Sequence, residues 1–391
     1  MNFPITQHIF VFINNKLITT DTVLPLLFEL RVYNPNFKAT FVTHDKKTFN
    51  DLKKNIVIFN AIKTLGNLKY FNFRNKNKFL NIFEKIKLVF FIFKIAILSL
   101  RNKATVIHFK LLNYWPWRIL SIFNKKRIFF FDNAFHTFLE FDVSNINQRR
   151  QHTKFLDQAP IANAVVTFNK DCNLLIDKKV EKIEKIITNP THNMKAWLEY
   201  IENNSKAYLN EILKNPISLD NNNISLMLGT LDTPITYLEN KDSVKECLVD
   251  VLNTLRKIKK KMKIFVKPHV ISNPQIFNEI LSKYEDLPII LNYLHPAVLA
   301  NYSKISICNY WSYSQPHAMA QGAFVIEYTQ YSKEALNLTN GQSYMPQYVD
   351  YFINKDQEKL ENKINLCLSK KKNPKSIGSA NLSLLKRIYG N

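Results

Sequence analysis

Short apolar runs that alternate with longer helical segments constrain the fold of this chain more than any other feature. Five such runs divide the second half of the chain, at residues 224–228, 263–266, 289–292, 305–308 and 323–327. A strand–helix–strand order with short apolar strands is typical of a parallel sheet. The sequence therefore predicts a Rossmann-like domain over residues 224–391.

The segments between these runs carry helix signals. Proline fits the first position of a helix because its φ angle is fixed and its missing N–H would have no partner there. Three predicted helices begin in this way, at Pro274, Pro296 and Pro316. The predicted helices of this half are 243–261, 274–284, 296–302, 316–321 and 356–369.

The first half of the chain repeats the pattern less regularly. It predicts helices at 24–30 and 83–100, a charged helical segment at 178–185, and strands at 9–13, 39–43, 56–59, 105–109, 127–131 and 164–168. We expect an N-terminal Rossmann-like domain at 1–190, a connector at 191–223, and a second Rossmann-like domain at 224–391. The predicted fold class is α/β, with two Rossmann-like doubly wound domains that face a cleft.

Several function classes are excluded by composition. The chain has 391 residues and only six glycines, no two of them close together, so neither GxGxxG nor a Walker A loop occurs. Four distant cysteines form no CxxC pair, and nine histidines show no short metal-ligand spacing. We therefore expect no metal and no cofactor, a reducing cytoplasmic setting and, from the N-terminal pattern, no secretory signal.

The chain is strongly basic, with 54 Lys and Arg against 31 Asp and Glu and a formal net charge of +23. Anionic partners are expected, such as an anionic substrate or an anionic membrane surface. Nucleic acid is the alternative, although the charge is spread over both halves and no helix-turn-helix, zinc-finger or RNP1 signature is present. A nucleic-acid partner is therefore not expected.

The most apolar segment, residues 88–100, is too short and too interrupted by Lys94 to span a bilayer. Basic residues flank it on both sides, among them Lys85, Lys87, Arg101 and Lys103. Two interpretations stay open, a core helix packed on a sheet and a helix lying on an anionic membrane surface. We expect a peripheral location at the inner membrane.

A carboxylate follows the predicted strand 127–131 of the first half. Asp132 and Asn133 come directly after 127–131, and ligands of open parallel sheets bind outside the carboxyl ends of the strands. A base that deprotonates a sugar hydroxyl needs that position. The alternative is that Asp132 caps the segment 135–140.

Groups suited to a phosphate follow the strand 263–266. Lys267 offers an ammonium and His269 an imidazole, which can donate a hydrogen bond or a proton to a phosphate oxygen as a glycosidic bond breaks. A strand-terminal histidine bonded to nearby backbone is the alternative for His269.

Two serine hydroxyls follow the strand 305–308. Ser312 and Ser314, after Tyr310, precede a proline-started helix, where backbone N–H groups can bind an anion. A capping serine is the alternative.

Two further loops contribute candidates. After 224–228, Gly229 and Thr230 allow a ligand to approach the backbone, and Asp232 can contact a sugar or nucleotide. A tight turn explains this loop equally. His295 and His317 compete with His269 for the phosphate, although Pro296 as a first helical residue accounts for His295 without a ligand.

The order of these motifs resembles bacterial GT-B transferases that use CMP-activated nonulosonic acids, the sialyltransferases and polysialyltransferases. Those families carry an acidic motif after an N-domain strand, a His-Pro motif after a C-domain strand and a Ser-rich motif before a later helix. Here the motifs are FFFDNA at 129–134, VKPH at 266–269 and YWSYS at 310–314. The chain departs from the pattern at Asn133 and Ala134, and by the proline that precedes His269.

The resemblance implies that domain 1–190 is the acceptor side and that domain 224–391 binds the nucleotide sugar. It also implies Asp132 as the general base, His269 as the acid or phosphate ligand, and Ser312 and Ser314 as ligands of the CMP phosphate. It implies metal-independent, inverting transfer of sialic acid or a related acidic sugar to a surface glycan, either lipooligosaccharide or capsule. The sequence also resembles CMP-Kdo transferases, which implies a retaining alternative with Asp232 as nucleophile. A basic nucleic-acid-binding module is the second alternative.

Overall fold

The structure is a computed structural model that divides into two compact units. It describes residues 7–13, 17–71, 78–109, 112, 115–130, 161–167, 182–213, 222–231, 237–258, 262–269, 272–378 and 382–389. The first unit comprises Met1–Trp197 together with Gly378–Asn391, and the second comprises Leu198–Ile377. The division lies inside the predicted connector, and the C-terminal residues join the first unit, whereas the sequence grouped them with the second domain.

A parallel sheet forms the centre of the first unit. Its described strands have the order β3-β2-β1-β4-β5-β6-β7. They are β1 (His8–Phe12), β2 (Lys38–Thr43), β3 (Gly66–Tyr70), β4 (Ala104–His108), β5 (Arg127–Phe130), β6 (Ala164–Thr167) and β7 (Glu184–Ile187). Its helices are α1 (Leu17–Tyr33), α2 (Lys46–Lys54), α3 (Ile56–Leu65), α4 (Lys78–Leu100) and α5 (Leu120–Phe123).

Aromatic side chains fill the core between this sheet and α4. The ring of Phe12 lies 4.9 Å from that of Trp117 in an edge-on arrangement, and Phe91 of α4 contacts Phe10 at 5.7 Å. All four side chains are buried. Such edge-to-face pairs add to the free energy of burial and fix how α4 packs on the sheet.

Helix α6 (Lys195–Leu213) crosses the division and leads into the second unit. The sheet of that unit is parallel, with the order β10-β9-β8-β11-β12-β13. Its strands are β8 (Ile224–Met227), β9 (Ile264–Lys267), β10 (Ile289–Leu291), β11 (Ile305–Cys308), β12 (Phe324–Thr329) and β13 (Tyr351–Asn354). Its helices are α7 (Ser243–Lys257), α8 (Pro274–Leu281), α9 (Pro296–Asn301), α10 (Ser314–Ala320), α11 (Lys333–Leu338) and α12 (Gln357–Ser369).

Helix α13 (Leu382–Tyr389) returns to the first unit. Its residue Ile388 accepts a hydrogen bond of 2.7 Å through its backbone carbonyl from the Thr105 hydroxyl of β4. No helix among the described residues is long and apolar enough to cross a membrane. The predicted fold class, two parallel-sheet α/β domains, is confirmed.

Two element predictions were wrong. Residues 56–59 lie in helix α3, because Asn55 caps it by accepting from the Ile58 N–H at 3.2 Å and its apolar residues repeat at helical spacing. Glu184 and Lys185 lie in strand β7, although the charged segment 178–185 indicated a helix. Residues 178–181 lie outside the described part of the chain.

The proline signals were correct in two of three cases. Pro274 and Pro296 occupy the first turn of α8 and α9. Helix α10, however, begins at Ser314, two residues before Pro316. This earlier start places Ser314 inside the helix, and it affects the predicted anion site below.

Candidate functional site

Three neighbouring strands of the second sheet end beside one another at the same edge. Lys267 of β9 and Cys308 of β11 both pair in register with Met227 of β8, which lies between them. Because neighbouring parallel strands are about 4.8 Å apart, the loops after β9 and β11 lie about 10 Å from each other. The structure thus gathers at one edge the predicted residues Gly229, Thr230, Lys267, His269, Tyr310, Ser312 and Ser314.

The loop after β8 is held by an asparagine that the sequence did not single out. Asn309 is buried, and its Oδ1 atom accepts a hydrogen bond of 2.8 Å from the Gly229 backbone N–H. Its Nδ2 atom donates to the Val244 carbonyl at 3.2 Å. The Gly229–Thr230 turn is therefore fixed against β11 and α7, which is a structural role for this loop.

Lys267 is the last residue of β9, and His269 follows it by two positions. The Lys267 carbonyl accepts from the Leu228 N–H at 3.0 Å, and the His269 carbonyl accepts from the Ser272 N–H at 3.0 Å, so backbone contacts position both. The His269 side chain retains exposed surface. Partial desolvation, followed by the charge of Lys267, lowers the pKa of His269. At neutral pH its imidazole is therefore mostly uncharged and can donate one hydrogen bond. The phosphate-binding roles of Lys267 and His269 stay predictions.

The serine segment after β11 is organised by its own hydrogen bonds. Ser312 Oγ accepts from the Ser314 N–H at 3.0 Å, and the Ser312 N–H donates to Gln315 Oε1 at 3.2 Å. Ser312 therefore shapes the turn before α10, but the capping alternative was wrong, because the N-cap residue of α10 is Tyr313 and no side chain caps the helix. Both serines are half-buried, and their hydroxyl protons can still be donated.

A buried carboxylate behind this turn was missed by the sequence analysis. Glu327 of β12 is fully buried and accepts three hydrogen bonds: from Gln315 Nε2 at 2.5 Å, from the Tyr331 hydroxyl at 2.6 Å and from Ser343 Oγ at 2.7 Å. Burial raises the pKa of Glu327, and the three donors oppose that shift. The carboxylate orients Gln315, whose other amide atom holds Ser312. The available signal was a single acid within the apolar run at 323–329.

Aromatic rings surround the same end of the sheet. The Tyr310 and Trp311 rings are 4.9 Å apart, and Tyr344 lies 6.0 Å from Trp311 and 5.2 Å from Tyr331. Tyr237 extends the group, with its ring 5.1 Å from that of Tyr344. Tyr237 and Tyr310 are half-buried and the other three are buried. Tyr310 therefore belongs to an aromatic wall.

The two histidines proposed as competing phosphate ligands lie together. His295 caps α9, where its Nδ1 atom accepts from the Ala297 N–H at 3.2 Å. The ring of His317, in α10, lies 4.8 Å from the His295 ring in an edge-on arrangement. The cap gives His295 a structural role, as the alternative interpretation predicted. Contact of either histidine with a phosphate stays a prediction.

Three of the predicted residues lie outside the described part of the chain. These are Asp132 and Asn133, which follow β5, and Asp232, which follows the Gly229 loop. The roles assigned to Asp132 and Asp232 stay predictions.

The first unit has a buried histidine at the end of a central strand. His108 is the last residue of β4, and it is paired in register with Phe12 and Phe129. Burial, followed by the charge of Arg127, lowers the pKa of His108 to about 3. The imidazole is therefore neutral at physiological pH, and its role is a structural one.

Comparison with known proteins shows the fold. No protein-family model and no curated protein matches the chain. Among solved structures, a UDP-N-acetylglucosamine 2-epimerase shares 12% identity over 98% of this chain and 90% of its own, with a TM-score of 0.53. UGT89C1 from Arabidopsis thaliana, complexed with UDP-L-rhamnose, shares 11% identity over 93% of this chain and 90% of its own, with a TM-score of 0.53.

UGT71G1 from Medicago truncatula, complexed with UDP-glucose, is also similar. It shares 12% identity over 94% of this chain and 91% of its own, with a TM-score of 0.50. Sequence identities of 11–12% show that the fold is shared, and they do not show which reaction this chain catalyses. The chain has the two-domain GT-B fold, which the sequence predicted.

Proposed function

We propose that this protein is a glycosyltransferase that takes its sugar from a nucleotide donor bound at the carboxyl edge of the second sheet. The observation that carries the proposal is the convergence of three phosphate-suited loops after β9, β8 and β11. Lys267 and His269 offer a charge and a donor, Gly229 lets a ligand approach the backbone, and Ser312 and Ser314 offer hydroxyls. Open α/β sheets bind ligands outside the carboxyl ends of their strands.

We further propose that the donor is a CMP-linked acidic sugar, sialic acid or a related nonulosonic acid. The motif order FFFDNA, VKPH and YWSYS supports this choice, as does the net charge of +23. A CMP leaving group carries one phosphate, whose charge Lys267 can offset without a metal. The half-buried Tyr310 and Tyr237 offer ring faces for the base. The proposed acceptor is a hydroxyl of a surface glycan.

In the proposed reaction the acceptor oxygen forms a bond to the anomeric carbon while the bond from that carbon to the CMP oxygen breaks. The acceptor proton passes to the Asp132 carboxylate. The leaving phosphate takes the electron pair of the broken bond and is stabilised by the His269 N–H and the Lys267 ammonium. Configuration inverts. In the retaining alternative, which the CMP-Kdo resemblance implies, the Asp232 carboxylate first bonds to the anomeric carbon as the bond to the CMP oxygen breaks. The acceptor oxygen then bonds to that carbon as the bond to Asp232 breaks, and the acceptor proton passes to water.

A UDP-sugar is the second candidate donor, because the similar structures are solved with UDP-glucose and UDP-L-rhamnose. One of the similar structures is named a UDP-N-acetylglucosamine 2-epimerase, so epimerisation of a UDP-sugar is kept as an outcome of the test. The basic edge formed by Lys267, His269 and the serine turn suits a diphosphate as well.

The test is to incubate the full chain separately with CMP-sialic acid, CMP-Kdo, UDP-glucose and UDP-N-acetylglucosamine, each with a desialylated lipooligosaccharide acceptor. Nucleotide release and product mass are measured. We expect acceptor-dependent release of CMP. Acceptor-dependent release of UDP would overturn the proposal of a CMP-linked donor. Epimerisation of a UDP-sugar without release of UDP would overturn the proposal that the protein is a transferase. No turnover of any donor, together with salt-sensitive duplex binding, would favour the nucleic-acid module.

Matched variants assign the residues. Asp132→Asn and His269→Ala are expected to lower kcat by about 100-fold or more. Asp286→Asn, at an exposed carboxylate paired with Arg256, and His44→Ala are the controls and should keep normal rates. A normal rate in Asp132→Asn with loss in Asp232→Asn would support the retaining alternative instead.

A further inference from the structure

Helix α4 buries one face and exposes another that is equally apolar. Leu88, Phe91 and Ile95 pack into the core, whereas Val89, Phe90 and Phe93 are 64%, 69% and 63% exposed. We call the exposed set the α4 stripe: Ile82, Phe83, Ile86, Val89, Phe90, Phe93, Ile97 and Leu100. At 3.6 residues per turn the stripe covers roughly 120° of the helix and runs about 27 Å along it.

A second helix beside α4 also exposes apolar side chains. Helix α5 lies against the C-terminal part of α4, where Asn124 Nδ2 donates to Ser99 Oγ at 2.9 Å. Ile122 of α5 is 73% exposed, and Phe123 beside it is also exposed. Contiguous apolar surface of this extent marks an interaction site on a protein, whereas single exposed apolar residues do not.

Lysines border the stripe on both sides. At helical spacing Lys87 and Lys94 lie along one edge and Lys85 along the other, and all three are exposed. The one acid within α4 is Glu84, which pairs with Lys87 at 2.9 Å. The charged residues at the border are thus mostly positive, which favours an anionic partner.

An open cavity of about 440 Å³ adjoins the stripe at the end of β3. Three lysines meet there, Lys69, Lys87 and Lys94, and the Lys69 Nζ atom lies 5.1 Å from the centre of the Phe91 ring. Tyr70, Phe71, Phe90 and Phe91 complete the lining. Ammonium groups over aromatic walls suit a group with a phosphate at one end and hydrocarbon beside it.

We propose that α4 docks the protein on the surface of a bilayer that contains anionic phospholipid, with the helix axis in the plane of the membrane. The α4 stripe inserts among the acyl chains near the headgroups, and Lys69, Lys85, Lys87 and Lys94 contact lipid phosphates. This membrane surface does not depend on which sugar donor the second unit binds.

The charge pattern argues against a second copy of this chain as the occupant. Two stripes packed face to face would bring the bordering lysines of both copies together, with Glu84 alone to offset them. Like charges in contact are unfavourable in a dimer interface. An anionic lipid surface would bury the apolar side chains of the stripe and pair its bordering lysines with phosphates.

The test is flotation of the full chain with vesicles of phosphatidylcholine, with or without added phosphatidylglycerol. We expect the protein to float with the mixed vesicles, to remain unbound with phosphatidylcholine alone, and to be released by high salt. The paired change Lys87→Gln with Lys94→Gln should weaken partitioning about 30-fold. The paired change Val89→Gln with Phe93→Gln should weaken it by at least about tenfold.

Matched controls use exposed residues of the second unit. Lys241→Gln with Lys245→Gln, and separately Leu338→Gln, should partition like the unchanged protein. Melting temperatures are compared throughout, and Ile86→Gln with Ile97→Gln repeats the test if the first apolar pair alters folding. Equal binding to both vesicle types, no binding to either, or stripe variants that bind normally would overturn the proposal. So would a dimer in sedimentation that the stripe variants abolish.

Discussion

Asn309 and Gly229 are joined by a hydrogen bond of 2.8 Å, in which the Gly229 backbone N–H donates to Asn309 Oδ1. The other amide atom of the same side chain donates to the Val244 carbonyl. One buried asparagine after β11 therefore fixes the loop after β8 and the first turn of α7. The shape of the proposed donor site depends on this contact, although Asn309 need not touch the donor.

Asn309→Leu is expected to lower the free energy of unfolding by about 2 kcal/mol, because it leaves the half-buried Gly229 N–H without its partner and removes the side-chain bond to the Val244 carbonyl. Urea unfolding measures the change. The exposed Asn337→Leu is the control and should change stability little. An Asn309→Leu protein as stable as the control would contradict the role assigned to this contact.

Tyr331→Phe removes one of the three donors to the buried Glu327 carboxylate and should cost about 1–2 kcal/mol of stability. Tyr293→Phe, at an exposed tyrosine, provides the comparison and should be near neutral. If Glu327 orients the serine turn through Gln315, Tyr331→Phe should also weaken nucleotide binding. Unchanged stability and affinity would show that the network does not hold the turn.

Acid should destabilise the protein through His108 and His192. Burial lowers the pKa of each to about 3, from 6.5 in the unfolded chain. The unfolded state binds more protons between these values, so stability is present above pH 6.5 and falls as pH falls toward 3. Each histidine should cost about 2 kcal/mol between pH 7 and pH 5.

Urea unfolding at pH 7 and pH 5 checks the acid effect. His108→Leu should remove about 2 kcal/mol of the difference between the two pH values. A difference that persists in full in His108→Leu would place the acid sensitivity elsewhere.

The charge of Lys267 should act on His269. It contributes to the lowered pKa of that imidazole, so Lys267→Met should move the pKa back toward 6.5. Proton NMR titration of the His269 ring measures the shift. Lys263→Met, at the opposite end of the β9 region, is the control. Equal titration in all three proteins would show that the two groups do not interact.

The strands of the second unit could be predicted because their apolar runs are short and bounded by polar residues. Residues 56–59 could not, because an apolar run of four fits a strand and a buried helix equally. The helix continues to Leu65, and β3 begins at once at Gly66, where a Cβ would overlap the Ala39 carbonyl oxygen. The close approach of β2 and β3 depends on tertiary structure, so the local sequence does not indicate it.

The candidate site shows the same limit. Lys267, His269 and the serines could be named because they follow apolar strands, and the edge they share follows from the parallel order. Asn309 and Glu327 were missed because their importance lies in contacts between segments distant in the chain. Gly229 and Asn309 are separated by 80 positions in the sequence, so no local pattern indicates their hydrogen bond.

The central claim is that the edge formed by β9, β8 and β11 binds a nucleotide. Thermal unfolding of the full chain with CMP, UDP, GDP and ADP tests it most directly, since a ligand of the native state raises the melting temperature. We predict a rise with CMP that Lys267→Met abolishes and Lys263→Met retains. A rise with UDP alone would support nucleotide binding at this edge but contradict the CMP-linked donor. No rise with any nucleotide would contradict the claim that this edge binds a nucleotide.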